Sequence, residues 1–373
     1  MRSALYPILF RRSLLSRVFE ALSHYSTKAL YDPSDLTSIY QSRTGGSTGA
    51  VDSVVGIMLD KSEMGGKTAA NFIAGQSELV TNGAVGLVGS ATAATYNTTT
   101  GVGAATRVDA SNQSFVQWSA LGTNWYLVDI ENTGANALSV RSGAHSGTII
   151  TSLSAGIRAT VLLQPGANLI TITAGGGSIA FTVHSFKAIP GYHALAPSDA
   201  ARPILRAGYY LDTDGTDDWM NVFPTLNLGE QWWHVGGWKQ DLASAHYPFA
   251  LSNQAGGKGA LLLASSKYNW RNSADAVAAL NTTNPTSSAH VLTIEDDTNI
   301  AARYNGVVES AAFAPFDDSA ATQELALFSA FNNTYSNGID GRFYGGAFGT
   351  GTLTSTDRAL LERYVAGLTG VTL

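Results

Sequence analysis

The chain contains no cysteine. Disulfides, thiolate metal ligands and cysteine nucleophiles are therefore excluded, and a fold made in a reducing compartment must take its strength from packing or association. Charge is scarce too. Asp, Glu, Lys and Arg make up 13% of the 373 residues, about half of the ~25% usual for globular chains. Positive charge is not in excess, the formal net charge being −6, so no overall basic field favours a nucleic-acid duplex or an anionic membrane. No apolar run reaches the ~18 residues that a spanning helix needs. Met1 to Leu22 carries Arg2, Arg11, Arg12 and Arg17 with no acid before Glu20, and Arg11-Arg12 interrupts the apolar core of about 7–15 residues that a signal peptide would require. The Arg/Ser bias is closer to a transit peptide, without a small-residue cleavage context.

Catalytic spacings are also missing. The seven histidines (His24, His145, His184, His193, His234, His246 and His290) form no His-x-His or His-Glu-x-x-His pattern, so each reads as a surface or internally satisfied polar residue. There is no Gly-x-Ser-x-Gly elbow, and Gly45-Gly46-Ser47 and Gly256-Gly257-Lys258 lack phosphate-loop spacing. Glycosidases need two carboxylates facing one bond across about 5–9 Å. Glu295-Asp296-Asp297 are adjacent on a predicted strand and so alternate between faces, while Glu230 stands alone. No catalytic residue is expected, and a polysaccharide-degrading glycosidase is kept only as an alternative.

What is present is apolar and hydroxyl-rich: 45% hydrophobic residues and 39 glycines. Polarity comes from Ser, Thr and Asn, and many turns can use glycine at positive φ. The length suggests two or three domains. From Ser13, the residues Leu14, Leu15, Val18, Phe19 and Leu22 fall at helical spacing. Such a helix is marginal alone and needs a surface to pack on. That surface is either the chain's own β-domain or, in the anchoring reading, symmetry mates or a socket elsewhere. Asp32-Pro33 then opens a turn, Thr44 to Gly49 is a Gly/Ser/Thr linker, and Val54 to Leu59 reads as a strand ending in the polar turn Asp60-Lys61-Ser62.

Short strands punctuated by glycine turns follow, among them Phe115–Trp118, Trp125–Ile130, Thr148–Ile150, Arg158–Leu163, Asn168–Ile172 and Ile179–Val183. The spacing predicts a β-sandwich, which Ile189-Pro190-Gly191-Tyr192-His193 leaves. From Arg202 more strands are predicted, then Thr354-Ser355-Thr356-Asp357 opens a helix in the manner of a capping box. Leu360, Leu361, Tyr364, Val365 and Leu368 line one face of it, and Gly370 can end it.

Three segments carry a resemblance. The first is Val55-Gly56-Ile57-Met58-Leu59-Asp60-Lys61-Ser62. The second is Ala201-Arg202-Pro203-Ile204-Leu205-Arg206, which runs into the acidic, aromatic stretch Tyr210 to Met220. The third is Gly341-Arg342-Phe343-Tyr344-Gly345-Gly346 with the capped terminal helix. Together they resemble the lead-in and C-terminal concanavalin-A-like lectin/glucanase jelly-roll domain of bacteriophage and prophage virion proteins of the fibre, spike or head-decoration type. In that family the lead-in strand and the Arg-Pro segment are separated by a short link. Here Arg202-Pro203 comes much later, which implies an insertion from about Ala69 to Pro197.

The expected architecture is mostly β: a helical N-terminal anchoring or oligomerisation segment (1–45), a lead-in (46–68), an inserted carbohydrate-binding-module-like sandwich (69–197) and a concanavalin-A-like jelly roll with a short terminal helix (198–373). The resemblance implies a virion protein made in the bacterial cytoplasm, attached to other virion proteins by Leu14, Leu15, Val18, Phe19 and Leu22. It implies a symmetric homo-oligomer, most simply a trimer, presenting β-domains to a host surface glycan. A purely structural capsid or tail decoration is the alternative.

Sugar rings stack on exposed aromatic faces, and Trp233, Trp270 and Trp125 are the expected contacts, since alternation in Trp232-Trp233 sends one ring outward. Asp212, Asp214, Asp217 and Asp218 around Gly215 have the composition of a Ca²⁺ loop. A tight turn with Asp side chains capping backbone N–H groups is the simpler account, because no downstream bidentate acid follows. No cofactor is otherwise expected.

Overall fold

In the computed structural model the described residues are all those outside 1–4, 90–93, 110, 120, 123, 164–168, 225, 227–230, 242–245, 252–259, 265–266, 272–276, 281–287, 298–299, 310–324, 332–334 and 337–338. The expected mostly-β architecture, with a short helix at the start and another at the end, is what they form. The chain divides into two compact units, one of residues 1–43, 47–70 and 191–373, the other of 44–46 and 71–190.

The first unit has three layers. Its central sheet is antiparallel and runs Val307–Val308, Ile300–Tyr304, His290–Asp296, Trp232–Gln240, Asp340–Thr350, Tyr210–Asp214, Ile204–Arg206, Ser53–Val54. A second sheet holds, in order, Lys267–Arg271, Ala260–Ala264, His246–Ala250, Ala326–Leu327, Met220–Phe223, His193–Leu195, Ile57–Met58 and Ile39–Ser42. The core between the sheets is aromatic, with Trp232, Trp238, Trp270, Phe249, Phe343 and Phe348 all buried. On the other side of the central sheet lie helix α1 (Leu5–Ser23) and the C-terminal helix (Ser355–Thr369).

Helix α1 starts before the predicted Ser13, because Pro7 falls in its first turn, where proline's missing N–H has no helical partner to lose. Its apolar stripe does not stand free. Val18, Phe19 and Leu22 are buried, and Leu14 and Leu15 half-buried, in one cluster with Leu361, Tyr364 and Val365 of the terminal helix. The five residues expected to anchor the chain elsewhere therefore pack within it, and the helix's need for a partner is met without a trimer. Nor is 1–45 a separate segment. Lys28–Tyr31 adds to the central sheet beside Asp340–Thr350, and Ile39 and Tyr40 pair with Met58 and Ile57.

The terminal helix opens as the sequence predicts, with the Asp357 N–H donating to Thr354 Oγ1 at 3.1 Å. Only half of the capping box closes on itself, however. The Asp357 carboxylate accepts from Tyr25 Oη at 2.9 Å and faces His24 Nδ1 at 3.2 Å, which ties the end of α1 to the start of the last helix. Gly370 ends it in the left-handed conformation, as glycine does without strain.

A buried polar knot joins the lead-in to this frame. Asp60 accepts from the Leu30, Ser62 and Tyr192 N–H groups and from Ser62 Oγ. Lys61 lies between Asp35 at 2.9 Å and Asp32 at 3.3 Å, and Tyr364 Oη donates to Asp32 at 2.5 Å.

The second unit is a five-on-five sandwich. One layer is Ala84–Val88, Gln113–Ser119, Leu169–Ala174, Leu138–Ser142 and Thr148–Leu153. The other is Thr95–Tyr96, Val102–Arg107, Gly177–Ile189, Trp125–Asn132 and Arg158–Leu163. The layers join at the corner where Arg107 pairs with Gln113, and their inner residues, including Trp118, Phe181, Phe186 and Ile172, form one core. The sandwich ends at Pro190, within the expected exit Ile189 to His193 and short of the Pro197 bound given to the insertion, because His193–Leu195 already pairs with Ile57–Met58 and Met220–Phe223 of the first unit.

Candidate functional site

The three tryptophans expected to meet sugar are all buried: Trp233, Trp270 and Trp125. Alternation does send Trp232 into the inter-sheet core and Trp233 to the other face. That face, however, is roofed by the two helices, and the Tyr25 ring meets Trp233 edge-on at 5.0 Å. Gly349 makes room for the indole, since a Cβ there would collide with the ring. Trp270 packs against Trp232 at 5.1 Å. None of the three can stack on a saccharide. Trp219 is the one tryptophan with solvent-facing surface.

Trp219 borders the acidic turn, which links Tyr210–Asp214 in one sheet to Met220–Phe223 in the other. Carboxylate oxygens of Asp214, Asp217 and Asp218 lie within 4.8 Å of one another. Asp212, the fourth expected member, is outside this set and pairs with Arg206 at 3.0 Å. Within the turn Asp214 Oδ1 accepts from the Thr216 N–H at 2.8 Å, and Asp218 Oδ2 accepts from the Asp214 N–H at 3.0 Å, with Gly215 at φ +74°. Burial, then the charges of Asp214, Asp217 and Asp212, push the Asp218 carboxyl up to about 7. Three carboxylates could contribute to a Ca²⁺ shell of 6–8 oxygens, but two already serve the turn's own backbone.

Glu295, Asp296, Asp297, His234 and His290 are engaged structurally. Glu295 meets Arg358 at 2.9 Å, Asp296 accepts from Trp232 Nε1, and Asp297 accepts from Gln231. Each is held by a different partner. Glu230, the lone acid of the glycosidase alternative, lies outside the described residues. His234 sits between Phe348 and Phe249, and burial lowers it to about 3; its Nε2 accepts from Trp238 Nε1. His290 is lowered by burial to about 4 beside Tyr268.

A surface absent from the sequence expectations stands out instead: the outer face of the Gln113–Ser119 layer. On each strand alternate residues leave the core, giving Gln113, Phe115 and Gln117, then Thr171 and Thr173, then Ser139 and Arg141. The ladder aligns Phe115 with Thr173 and Ser139, and Gln117 with Thr171 and Arg141. The loop after Ser142 folds back over this face. Thr171 Oγ1 donates to the Gly143 carbonyl at 2.7 Å, Arg141 Nη1 donates to the Gly147 carbonyl at 2.7 Å, and the His145 ring stacks on Phe115 at 5.2 Å. Gly147 lets the loop close so tightly, since a Cβ would run into the Ser142 carbonyl.

The result is a covered polar layer: Thr171, Thr173, Ser139, Gln113, Phe115 and Arg141 are buried, and His145 and Gln117 keep solvent-facing surface. Period-two alternation in Gln113–Trp118, Leu138–Arg141 and Leu169–Thr173 is the signal that could have revealed it.

No protein-family model matches the chain, and no curated protein is similar to it. Among solved structures it is similar in part to the botulinum neurotoxin serotype D binding domain, at 12% identity and a TM-score of 0.32, covering 42% of each chain. It is similar to the CBM40 of the Ruminococcus gnavus IT-sialidase, solved with alpha2,3 sialyllactose, at 14% identity and a TM-score of 0.28, covering 36% of this chain and 83% of that one. The botulinum neurotoxin type G receptor binding domain gives 9% identity, a TM-score of 0.31 and coverage of 46% and 48%. The chain thus spans less than half the length of the two toxin domains.

Proposed function

We propose that the chain is a non-catalytic adhesion protein on the exterior of a phage or phage-like particle, and that its inserted sandwich binds a host-surface glycan. The observation that carries the binding reading is the loop after Ser142, whose partly exposed His145 ring is held flat on the buried Phe115 while Thr171 and Arg141 tie the loop down beneath it. A saccharide needs a ring to lie against and polar partners beside it, and the accessible groups here are the His145 ring with Gln117, Ser142 and Ser146. The particle assignment rests on the resemblance carried by Val55 to Ser62, Ala201 to Arg206 and Gly341 to Gly346. Contact with other virion proteins would use surfaces other than the α1 stripe, which is occupied.

The full chain is expected to bind a subset of bacterial surface glycans on an array, and His145→Ala is expected to weaken the retained signals about tenfold, the loss of one good stacking contact. An array that stays blank would leave the structural decoration of a capsid or tail as the reading. A map of the intact particle by electron microscopy, with this chain absent from its exterior, would remove the virion assignment. A monomer by light scattering would remove the trimer.

No cofactor belongs to this reading. The hydrogen bonds of the acidic turn account for Asp214 and Asp218 without a metal, so millimolar Ca²⁺ is expected to leave the melting temperature unchanged within about 1 °C. A ligand at 100 times its Kd would instead add ~2.7 kcal/mol, several degrees. A calcium-dependent rise abolished by Asp217→Asn would assign a cation site.

A further inference from the structure

Strand Ala84–Val88 of the sandwich has an open edge. It pairs with Gln113–Ser119 on one side, and among the described residues no strand or other backbone group meets it on the other. Its register places Val85 opposite Val116 and Leu87 opposite Ser114. Val116 belongs to the core, so Val85 and Leu87, two residues apart, are turned toward the core side as well. Yet they are 51% and 53% exposed. The other layer ends beside them in Thr95–Tyr96, two residues against five. Two core-facing apolar side chains are thus left without cover at the rim of the sandwich.

Folded chains guard such an edge with charge, proline or a bulge. This one has none of them. Neither a charged residue nor a proline occurs from Leu79 to Thr106, and the ladder with Gln113–Ser119 runs without a register shift. The sequence Ala84-Val85-Gly86-Leu87-Val88 is also nearly symmetric in side-chain size about Gly86. Laid antiparallel on itself with Gly86 opposite Gly86, it sets Val85 opposite Leu87 and Ala84 opposite Val88. Opposite residues share a face, so two Val85 and two Leu87 side chains close over one another on the core side. An antiparallel pair centred on one residue also matches outward N–H and C=O groups whichever residues carry them. Gly86 cannot carry a side chain in any case, because a Cβ would run into the Phe115 ring.

We propose that Ala84–Val88 joins two copies of this chain edge to edge about a twofold axis, making one ten-stranded sheet of their two five-stranded layers. The occupant is a second copy because the strand is its own complement in register and in side-chain size. Two chains of formal charge −6 repel at long range, but this segment brings no charge to the contact. The pairing is isologous, so it closes at two copies. The inference is independent of the glycan and virion readings, and it gives association twofold symmetry in place of the threefold one that the resemblance implies.

Sedimentation velocity on the full chain over a concentration series is the test. A species of twice 39.1 kDa is expected, growing with concentration. Val85→Lys with Leu87→Lys should raise the dissociation constant at least about tenfold, since like charges then stand opposite each other across the axis. Val85→Glu with Leu87→Glu should do the same alone. A mixture of the lysine and glutamate variants should restore the dimer, which a folding defect in either could not do. Ile149→Lys, on the opposite edge strand Thr148–Leu153, should leave association unchanged.

A monomer at every concentration would overturn the inference, and so would a trimer or a dimer that the lysine variant retains. Association lost in Ile149→Lys instead would place the contact on the other edge and overturn it too. A mixture of the charged variants that stays monomeric would overturn the antiparallel register. Binding or failure to bind glycan bears on none of these outcomes, so this inference and the glycan reading fall separately.

Discussion

Lys61→Met is expected to cost about 3–5 kcal/mol of stability, the usual consequence of removing one partner from a buried ion pair. The Lys61 side chain is 4% exposed and lies between Asp35 and Asp32. Asp32 further accepts from Ser34 and from Tyr364 of the terminal helix, and Asp35 from Thr37. Burial alone would push the Asp32 carboxyl up. The Lys61 ammonium, with the Ser34 and Tyr364 hydrogen bonds, outweighs it and holds the group below the ordinary carboxylate range. Methionine fills similar space but leaves two carboxylates facing each other.

The pH dependence supplies a second readout. A depressed Asp32 stabilises the fold above its unfolded value, and that contribution fades as pH falls through the depressed value. Without Lys61 the burial effect dominates and Asp32 moves up, so the variant loses stability as pH rises. The gap between wild type and variant should therefore widen from about pH 4 to pH 7 in urea titrations. Lys61→Met with Asp35→Asn should recover part of the loss. A gap below about 1 kcal/mol, constant with pH, would show that the knot contributes little.

Asp60-Lys61-Ser62 illustrates what was legible in the chain and what was not. Locally the tripeptide reads as a polar turn at a strand end, but the strand predicted from Val54 to Leu59 is divided into Ser53–Val54 in one sheet and Ile57–Met58 in the other. Its burial depends on Leu30, Tyr192 and Tyr364, partners far away in sequence. The same division holds at Trp232-Trp233. Alternation was readable, but the roof over Trp233 is made by α1 and the terminal helix, which no local pattern announces. Elements with strong periodicity appeared as predicted, among them Trp125–Asn132, Arg158–Leu163 and the terminal helix. Between the short strands Ala326–Leu327 and Ala330–Phe331, Phe328 takes φ +68° in the inter-sheet core. Tertiary packing holds a bulky residue there against its backbone preference. In the sandwich the outward Thr171, Thr173 and Arg141 were visible as alternation, yet only the strand order brings them to one face.

Leu22→Ala tests the other main departure from expectation, the destination of α1. If the stripe Leu14, Leu15, Val18, Phe19 and Leu22 served only to engage another molecule, trimming it would leave the isolated chain's stability unchanged. Here Leu22 and Val18 are fully buried beside Leu361 and Val365. Truncating a fully buried leucine costs about 2–5 kcal/mol, through lost transfer free energy plus the cavity left behind. Solvent-facing Arg17 provides the control, since Arg17→Ala should stay within about 0.5 kcal/mol. Tyr25→Phe should add a smaller loss of about 1–3 kcal/mol, because the buried Asp357 carboxylate loses the phenol donor at 2.9 Å while its Thr354 cap remains. Guanidinium titrations of the three variants decide the matter. A Leu22→Ala chain as stable as wild type would mean that the helix leaves its groove in solution and is free to anchor elsewhere. A loss of the expected size fixes α1 as the outer layer of the fold, and leaves attachment to any particle to a different surface.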